Sequence, residues 1–132
     1  MVEFALVLPV FMLILAGILD FGFALYTRMT VINASRDGAR AAVMVSDFST
    51  IPSVATNAAD SSAAGAGLTP SSVSATCLQT SASLVSPATI SCANAQAGDS
   101  VYVTVNYTYK TFFPLLFGAS LNLASSVQMV IE

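Results

Sequence analysis

The chain has 132 residues, of which 55% are hydrophobic and only 8% are charged, and its net charge at pH 7 is −3. This length allows one small domain, and the scarcity of cations excludes the basic surface that nucleic-acid binding requires. The chain has no His, and its few carboxylates leave little material for acid–base or metal chemistry. We therefore expect a protein that is not an enzyme, binds no metal or cofactor, and has neither nucleic acid nor a small-molecule substrate as a partner.

Residues 1–48 are predicted to form one long helix, and its first half is almost purely apolar. The run from Phe4 to Leu19 contains no charged residue, and Pro9 within it removes one backbone hydrogen bond and can kink the helix. A helix of about 48 residues is about 70 Å long, whereas the remaining residues 49–132, termed the head, should be only about 30 Å across. Roughly half of the helix must therefore protrude, and this apolar half needs lipid or other protein around it.

The flanks of the apolar run argue against a signal peptide. Glu3 precedes the run, no basic segment does, and no small-residue cleavage site follows it. As a membrane span, the run is about 24 Å long, which is slightly short of a hydrocarbon core of about 30 Å. It becomes long enough only if Asp20 is tolerated and residues 21–26 are included.

The two acidic residues beside the apolar run are costly there and suggest specific partners. We expect Glu3 to pair with the α-amino group of a neighbouring chain, and Asp20 to meet Arg28 or Tyr26 of a neighbour. The alternative is that Glu3 lies at the level of the lipid headgroups and that the Asp20 side chain reaches toward the membrane surface.

The second half of the predicted helix is amphipathic. One face at helical spacing carries Leu25, Met29, Ile32, Ala39 and Val43. A row of small residues, Ala34, Gly38 and Ala42, recurs every four positions and lets another backbone come close, and we expect this row to pack against the head. We predict that residues 27–48 pack on the head, whereas residues 1–26 form a polymerisation or transmembrane segment.

Residues 2–43 resemble the TadE-like family of type IV pilin-like proteins. The resemblance is carried by the opening Val-Glu-Phe-Ala-Leu, the following Pro9, the acid-Phe-Gly step at residues 20–22, and the segment Asn-Ala-x-Arg-x-Gly-Ala-Arg at residues 33–40. A Tyr-Thr-Tyr stretch followed by an apolar segment with a Pro is also similar, so the resemblance extends over most of the chain.

The resemblance implies a role in tight-adherence (Tad) pilus assembly. Family members are made with a leader, inserted in the bacterial inner membrane, cleaved by a prepilin peptidase and handled by the pilus assembly machinery. Their processed helices pack in a filament core, where a Glu near the N-terminus pairs with the N-terminus of a neighbour. Glu3 lies two residues earlier than that pattern implies, and no leader is visible, so we expect an already processed chain. The expected subunit interface comprises Glu3, Phe4, Leu6, Val7, Pro9, Phe11, Leu13, Ile14, Ile18, Asp20, Phe21 and Arg28.

The head is predicted to hold a short helix and a four-stranded antiparallel sheet, which makes the fold class α+β. A boundary of Ser, Thr and Pro near residues 47–52 is followed by an Ala-rich helix over 53–67. Weak strands are expected at 71–77 and 88–92. The strongest strand covers 100–109, with clear alternation, and a further strand covers 121–131. The sheet should lie against the second half of the helix with one face in the core and the other toward solvent or a neighbour.

Two features of the head point to its environment. Cys77 and Cys92 are expected to form a disulfide in an exported protein, and a metal or redox pair is the alternative. The apolar stretch 111–118 lies between two strands, where a polar turn is usual. It is either part of the core or an intersubunit loop or adhesive tip. The residues concerned are Phe112, Phe113, Leu115, Leu116 and Phe117.

We expect the chain to be a structural pilin subunit that self-assembles into an extracellular cell-surface filament after passing through the inner membrane. Its head would lie on the non-cytoplasmic side. One alternative is a low-copy, membrane-anchored minor pseudopilin needed for pilus assembly. Another is a surface adhesin module on a simple membrane anchor.

Overall fold

The computed structural model describes residues 2–79, 88–112, 114 and 118–132. Helix α1 runs over Val2–Val43 and continues through Pro9. At about 1.5 Å per residue it is about 63 Å long. It ends earlier than the predicted residue 48 because Asp47 caps a new 3-10 turn at Phe48–Thr50, accepting hydrogen bonds from the Ser49 N–H and hydroxyl at 3.0 and 2.7 Å.

Helix α2, Ile51–Gly65, follows at once and lies against α1. Pro52 fits its first turn, where no intrahelical donor is lost. The helix ends where the Leu68 N–H bonds back to the Ala63 carbonyl and Gly67 takes a positive φ of 76°. Its buried face consists of Ile51, Ala55, Ala59 and Ala63.

The four predicted strands form one antiparallel sheet, and the α+β fold class is confirmed. The strands are β1, Ser72–Gln79; β2, Ala88–Ile90; β3, Ser100–Lys110; and β4, Ser120–Val130. Their order is β2-β1-β3-β4, so β3 is paired along its length by β1 on one side and β4 on the other.

Alternation along β3 places the core as the sequence predicts. Val101, Val103 and Val105 are fully buried beneath the helices, and Tyr109 at the end of the strand is also buried. On the opposite face Tyr102 is 37% exposed. The core therefore lies between the helices and one face of the sheet, and the other face is polar.

The disulfide joins β1, an interior strand of the sheet, to the segment that follows β2. Cys77 on β1 and Cys92 are bonded, with their Cα atoms 5.2 Å apart and a sequence separation of 15. Both side chains belong to the core around Val101. Closing a loop of this length stabilises a fold by about 3 kcal/mol in the chain-entropy model.

The small-residue row of α1 that was expected to pack on the head is buried, whereas most of the row of larger apolar side chains is not. Leu25 and Met29 are 44% and 66% exposed, and Ile32 and Val43 are half-buried, so Ala39 alone of the five is buried. The buried positions are small or polar, namely Thr27, Thr30, Val31, Ala34, Ser35, Gly38, Ala39 and Ala42. Small side chains occupy this face because α1 approaches both α2 and the sheet closely, and larger side chains do not fit there.

Gly38 marks the closest approach of α1 to α2. A Cβ atom added at this position would lie 2.8 Å from the carbonyl oxygen of Ala55 and 3.0 Å from the Cβ of Ala59. The contact is with backbone, which cannot rotate away as a flexible side chain can. The small-residue row at Ala34, Gly38 and Ala42 thus packs within the chain, against the head.

Replacing Gly38 by Ala should lower the free energy of unfolding. Overpacking costs about 1–3 kcal/mol, while the higher helix propensity of Ala returns about 1 kcal/mol, so a net loss of up to about 2 kcal/mol is expected. Denaturant unfolding of the full chain in detergent, followed by circular dichroism, measures it. Gly65→Ala is the matched control because nothing lies within 4 Å of an added Cβ there; equal stability of the two variants would contradict the close-packing account.

Candidate assembly and membrane segment

The N-terminal part of α1 has no cover from the head. Among the described side chains of residues 3–19, none is buried, and only Ala16 and Gly17 are half-buried. Exposure of the large apolar side chains runs from 39% at Leu15 to 73% at Leu6. From Leu6 to Val43 the helix is long and apolar enough to cross a membrane. Exposed apolar surface on this scale requires lipid or protein around it.

Asp20 is the first buried residue of α1, and the head buries it. Its carboxylate Oδ1 accepts a hydrogen bond of 2.6 Å from the Tyr109 hydroxyl, and the Phe112 N–H lies 3.4 Å from the same oxygen. The Tyr109 hydroxyl also lies 3.4 Å from the backbone carbonyl oxygen of Asp20. Alternation along β3 explains the geometry, because Tyr109 shares the core-facing side of the strand with Val105 and lies at the end that reaches the apolar half of the helix.

The environment of Tyr109 keeps its hydroxyl protonated. Burial is the largest of the causes that raise the pKa of Tyr109 from 10.0 to about 12, and the hydrogen bond to Asp20 is the next. A neutral phenol is a donor, so Tyr109 remains able to donate to the carboxylate at every physiological pH. Asp20 is therefore held by the head of its own chain.

This contact changes the interpretation of the two acidic residues. Asp20 has an intrachain partner, so it does not depend on Arg28 or Tyr26 of a neighbour. Arg28 is exposed, and Tyr26 is 54% exposed. The remaining described members of the expected interface, including Glu3, are exposed as well. The head reaches down the helix to Asp20, which is closer to the N-terminus than the predicted division at Tyr26.

The start of the predicted intersubunit loop lies against the helix just beyond Asp20. The rings of Phe112 and Phe23 are 5.6 Å apart between centroids, yet Phe112 is 66% and Phe23 52% exposed. The other members of the loop prediction, Phe113, Leu115, Leu116 and Phe117, lie outside the described residues. Thr111 donates a hydrogen bond to the carbonyl of Gly118, which ties the two ends of this segment together.

A groove of about 470 Å³ is lined by α1 and by the end of β3. Phe23 and Tyr26 line it from the helix, and Tyr107, Lys110 and Phe112 line it from the head. The sequence analysis missed this groove and the Asp20–Tyr109 contact. Strand alternation alone places Tyr109 on the core side, but it does not fix which turn of the helix the strand end meets.

Comparison with known proteins agrees with the exposed helix. A family model described as TadE-like protein matches residues 1–40. Over these residues the chain is similar to TadE-like proteins. The match covers nearly all of α1 and confirms the resemblance seen in the sequence, whereas it leaves the head outside the matched range. No curated protein and no solved structure matches the chain.

Similarity to TadE-like proteins points to a pilus-related protein, and it rests on the helix rather than on the head. An apolar N-terminal helix agrees with membrane anchoring. Within the described residues, no group of three or more His, Cys, Asp or Glu side chains lies close enough together to hold a metal ion. The contacts described along α1 are packing and hydrogen bonds.

Removing the Tyr109 hydroxyl should destabilise the junction between head and helix. Tyr109→Phe takes one donor from a buried carboxylate, and we expect the free energy of unfolding to fall by about 1–3 kcal/mol. The measurement is denaturant unfolding of the full chain in detergent. Tyr102→Phe on the exposed face of β3 serves as the control and should stay within about 0.5 kcal/mol of the wild type. If both variants lose the same stability, the hydrogen bond does not hold the junction.

Proposed function

We propose that this chain is a structural subunit of a Tad-type pilus, packing its N-terminal helix among those of other copies and displaying its head outside. The observation that carries the proposal is the uncovered apolar segment, residues 3–19, on a helix that extends well past the head. The TadE-like match over the same helix supports it. In this assembly the expected interface residues from Glu3 to Phe21 contact neighbouring helices.

The free energy of burying the apolar segment favours a filament that stays assembled in water. Burying about 15 large apolar side chains is worth about 1.5–3 kcal/mol each, which amounts to a few tens of kcal/mol. Lost translational and rotational freedom, together with lost lipid contacts, consumes much of this. Helix contacts that repeat from chain to chain are heterologous and propagate as an open helical filament.

A membrane stage before assembly fits the same segment. Residues 2–19 span about 27 Å, close to a hydrocarbon core of about 30 Å. With Glu3 near one membrane surface and Asp20 near the other, neither carboxylate needs to lie at the centre of the bilayer, where a charge is most costly. The disulfide between Cys77 and Cys92 supports a head on the oxidising, non-cytoplasmic side.

A low-copy, membrane-held assembly factor of the same pilus is the second candidate. The hydrogen bond from Tyr109 to Asp20 favours it, because a chain whose acid is already partnered can remain in lipid without a neighbour. The two candidates share every structural feature of α1 and differ in the number of copies per filament.

The composition of purified filaments tests the choice. We expect this chain to be the bulk protein of surface filaments sheared from the cells, measured by quantitative mass spectrometry against a labelled standard of the same chain. A filament built from another protein, with this chain present in trace amounts, favours the assembly factor. Filaments of normal number and composition from cells that lack this chain would refute both roles.

Glu3 provides a residue-level test of assembly. Glu3→Gln removes the charge expected to pair with the N-terminus of a neighbour, and we expect far fewer filaments by electron microscopy at an unchanged level of membrane-inserted chain. Asp60→Asn is the matched control, since Asp60 is exposed on α2 in the head and loses the same charge. Equal filament numbers for Glu3→Gln and Asp60→Asn would remove the pairing argument.

A further inference from the structure

The Asp20–Tyr109 contact sets the height of the head relative to a bilayer. If residues 2–19 fill the hydrocarbon core, as the proposed membrane stage requires, Asp20 lies where the hydrocarbon ends. Tyr109 and Phe112 both contact the Asp20 carboxylate, so the lower edge of the head lies at that same level.

The side chains at this level have the chemistry of a membrane interface. Phe23 and Phe112 pack together while each keeps at least half of its surface exposed. Tyr26 follows within about 9 Å of Asp20 along the helix axis, a distance comparable to the depth of the headgroup layer. Tyr side chains concentrate at that layer because the ring is apolar and its hydroxyl is polar, and the Phe rings of an interfacial surface enter the boundary with the acyl chains.

Lys110 adds the charge that a phospholipid surface attracts. It is exposed and lines the same groove as Tyr26 and Phe112. Its long apolar stem can lie along the aromatic rings while the ammonium group reaches the phosphates. The lipid is the favoured occupant because this surface is continuous with the helix segment that spans the bilayer.

We infer that Phe23, Tyr26, Lys110 and Phe112 form a seat, through which the head rests on the headgroup layer of an anionic phospholipid bilayer before assembly. The inference rests on the proposed membrane stage. The seat gives the head a fixed orientation above the membrane, with α1 as the anchor and the end of β3 as a second point of contact. A chain held at two points presents its helix to a growing filament in one orientation.

Single tryptophans test the seat cleanly, because the chain has no Trp of its own. The Phe112→Trp variant is reconstituted at low protein-to-lipid ratio in vesicles of phosphatidylcholine and phosphatidylglycerol whose acyl chains are brominated near the carbonyl. We expect loss of most of its fluorescence relative to vesicles without bromine. Leu13→Trp, in the apolar segment, reports whether the helix has inserted, and it is measured in matching vesicles whose acyl chains are brominated near their middle.

Met44→Trp is the matched control for exposure. Met44 is 77% exposed just beyond the other end of α1, about 36 Å along the axis from Asp20, and we expect no quenching there. Quenching of Leu13→Trp without quenching of Phe112→Trp overturns the seat and leaves the membrane stage intact. A Phe112→Trp emission that is shielded from aqueous quencher but untouched by bromine also overturns it, in favour of a second copy of the chain. Absence of quenching at Leu13→Trp overturns both the seat and the membrane stage.

Discussion

The hydrogen bond between Tyr109 and Asp20 marks the boundary between the part of α1 that packs on the head and the part that the head leaves uncovered. On the head side of this contact, α1 is packed by α2 and the sheet. On the other side, no described side chain of residues 3–19 is buried. The partner of Asp20 is Tyr109, the last core-facing residue of β3. The length of that strand therefore decides how much of the helix is left uncovered. A strand shorter by two residues would leave the Asp20 carboxylate without this donor and at the edge of the apolar segment.

The composition of α1 is inverted relative to an ordinary surface helix. Its buried face in the head is made of Thr, Ala, Ser and Gly, with Val31 as the largest side chain, while Leu25 and Met29 face outward. The hydroxyls of Thr27 and Thr30 donate to the carbonyls of Phe23 and Tyr26 one turn earlier, which satisfies them inside the packed face. Close packing of backbones stabilises the head, and the large apolar side chains remain available for another environment.

This inversion explains where the sequence predicts the structure and where it does not. The strands were predicted nearly to the residue, since the alternation from Val101 to Tyr109 has one buried face and one polar face. The disulfide was predicted because the head of an exported protein with two cysteines is expected to pair them. On α1, hydrophobic periodicity alone selects the large apolar side chains as the buried ones, whereas the small-residue row at Ala34, Gly38 and Ala42 lies on the face that the head covers. The partner of Asp20 depends on which helical turn the end of β3 reaches, and that register is set by tertiary packing alone.

The two acidic residues of α1 then carry different consequences for assembly. In the proposed assembly Asp20 keeps its partner, because Tyr109 belongs to the same chain. The environment of Asp20 therefore changes little when neighbouring helices replace lipid around α1. Glu3 is exposed and has to meet a new environment in that exchange. In our proposal the apolar side chains from Phe4 to Leu19 contact an apolar medium before and after assembly, so their burial gives little preference for the filament over the bilayer. The preference then has to come from close packing between helices and from Glu3, since a carboxylate paired with a cation in a filament core discriminates against wrong registers in a way that apolar contact does not.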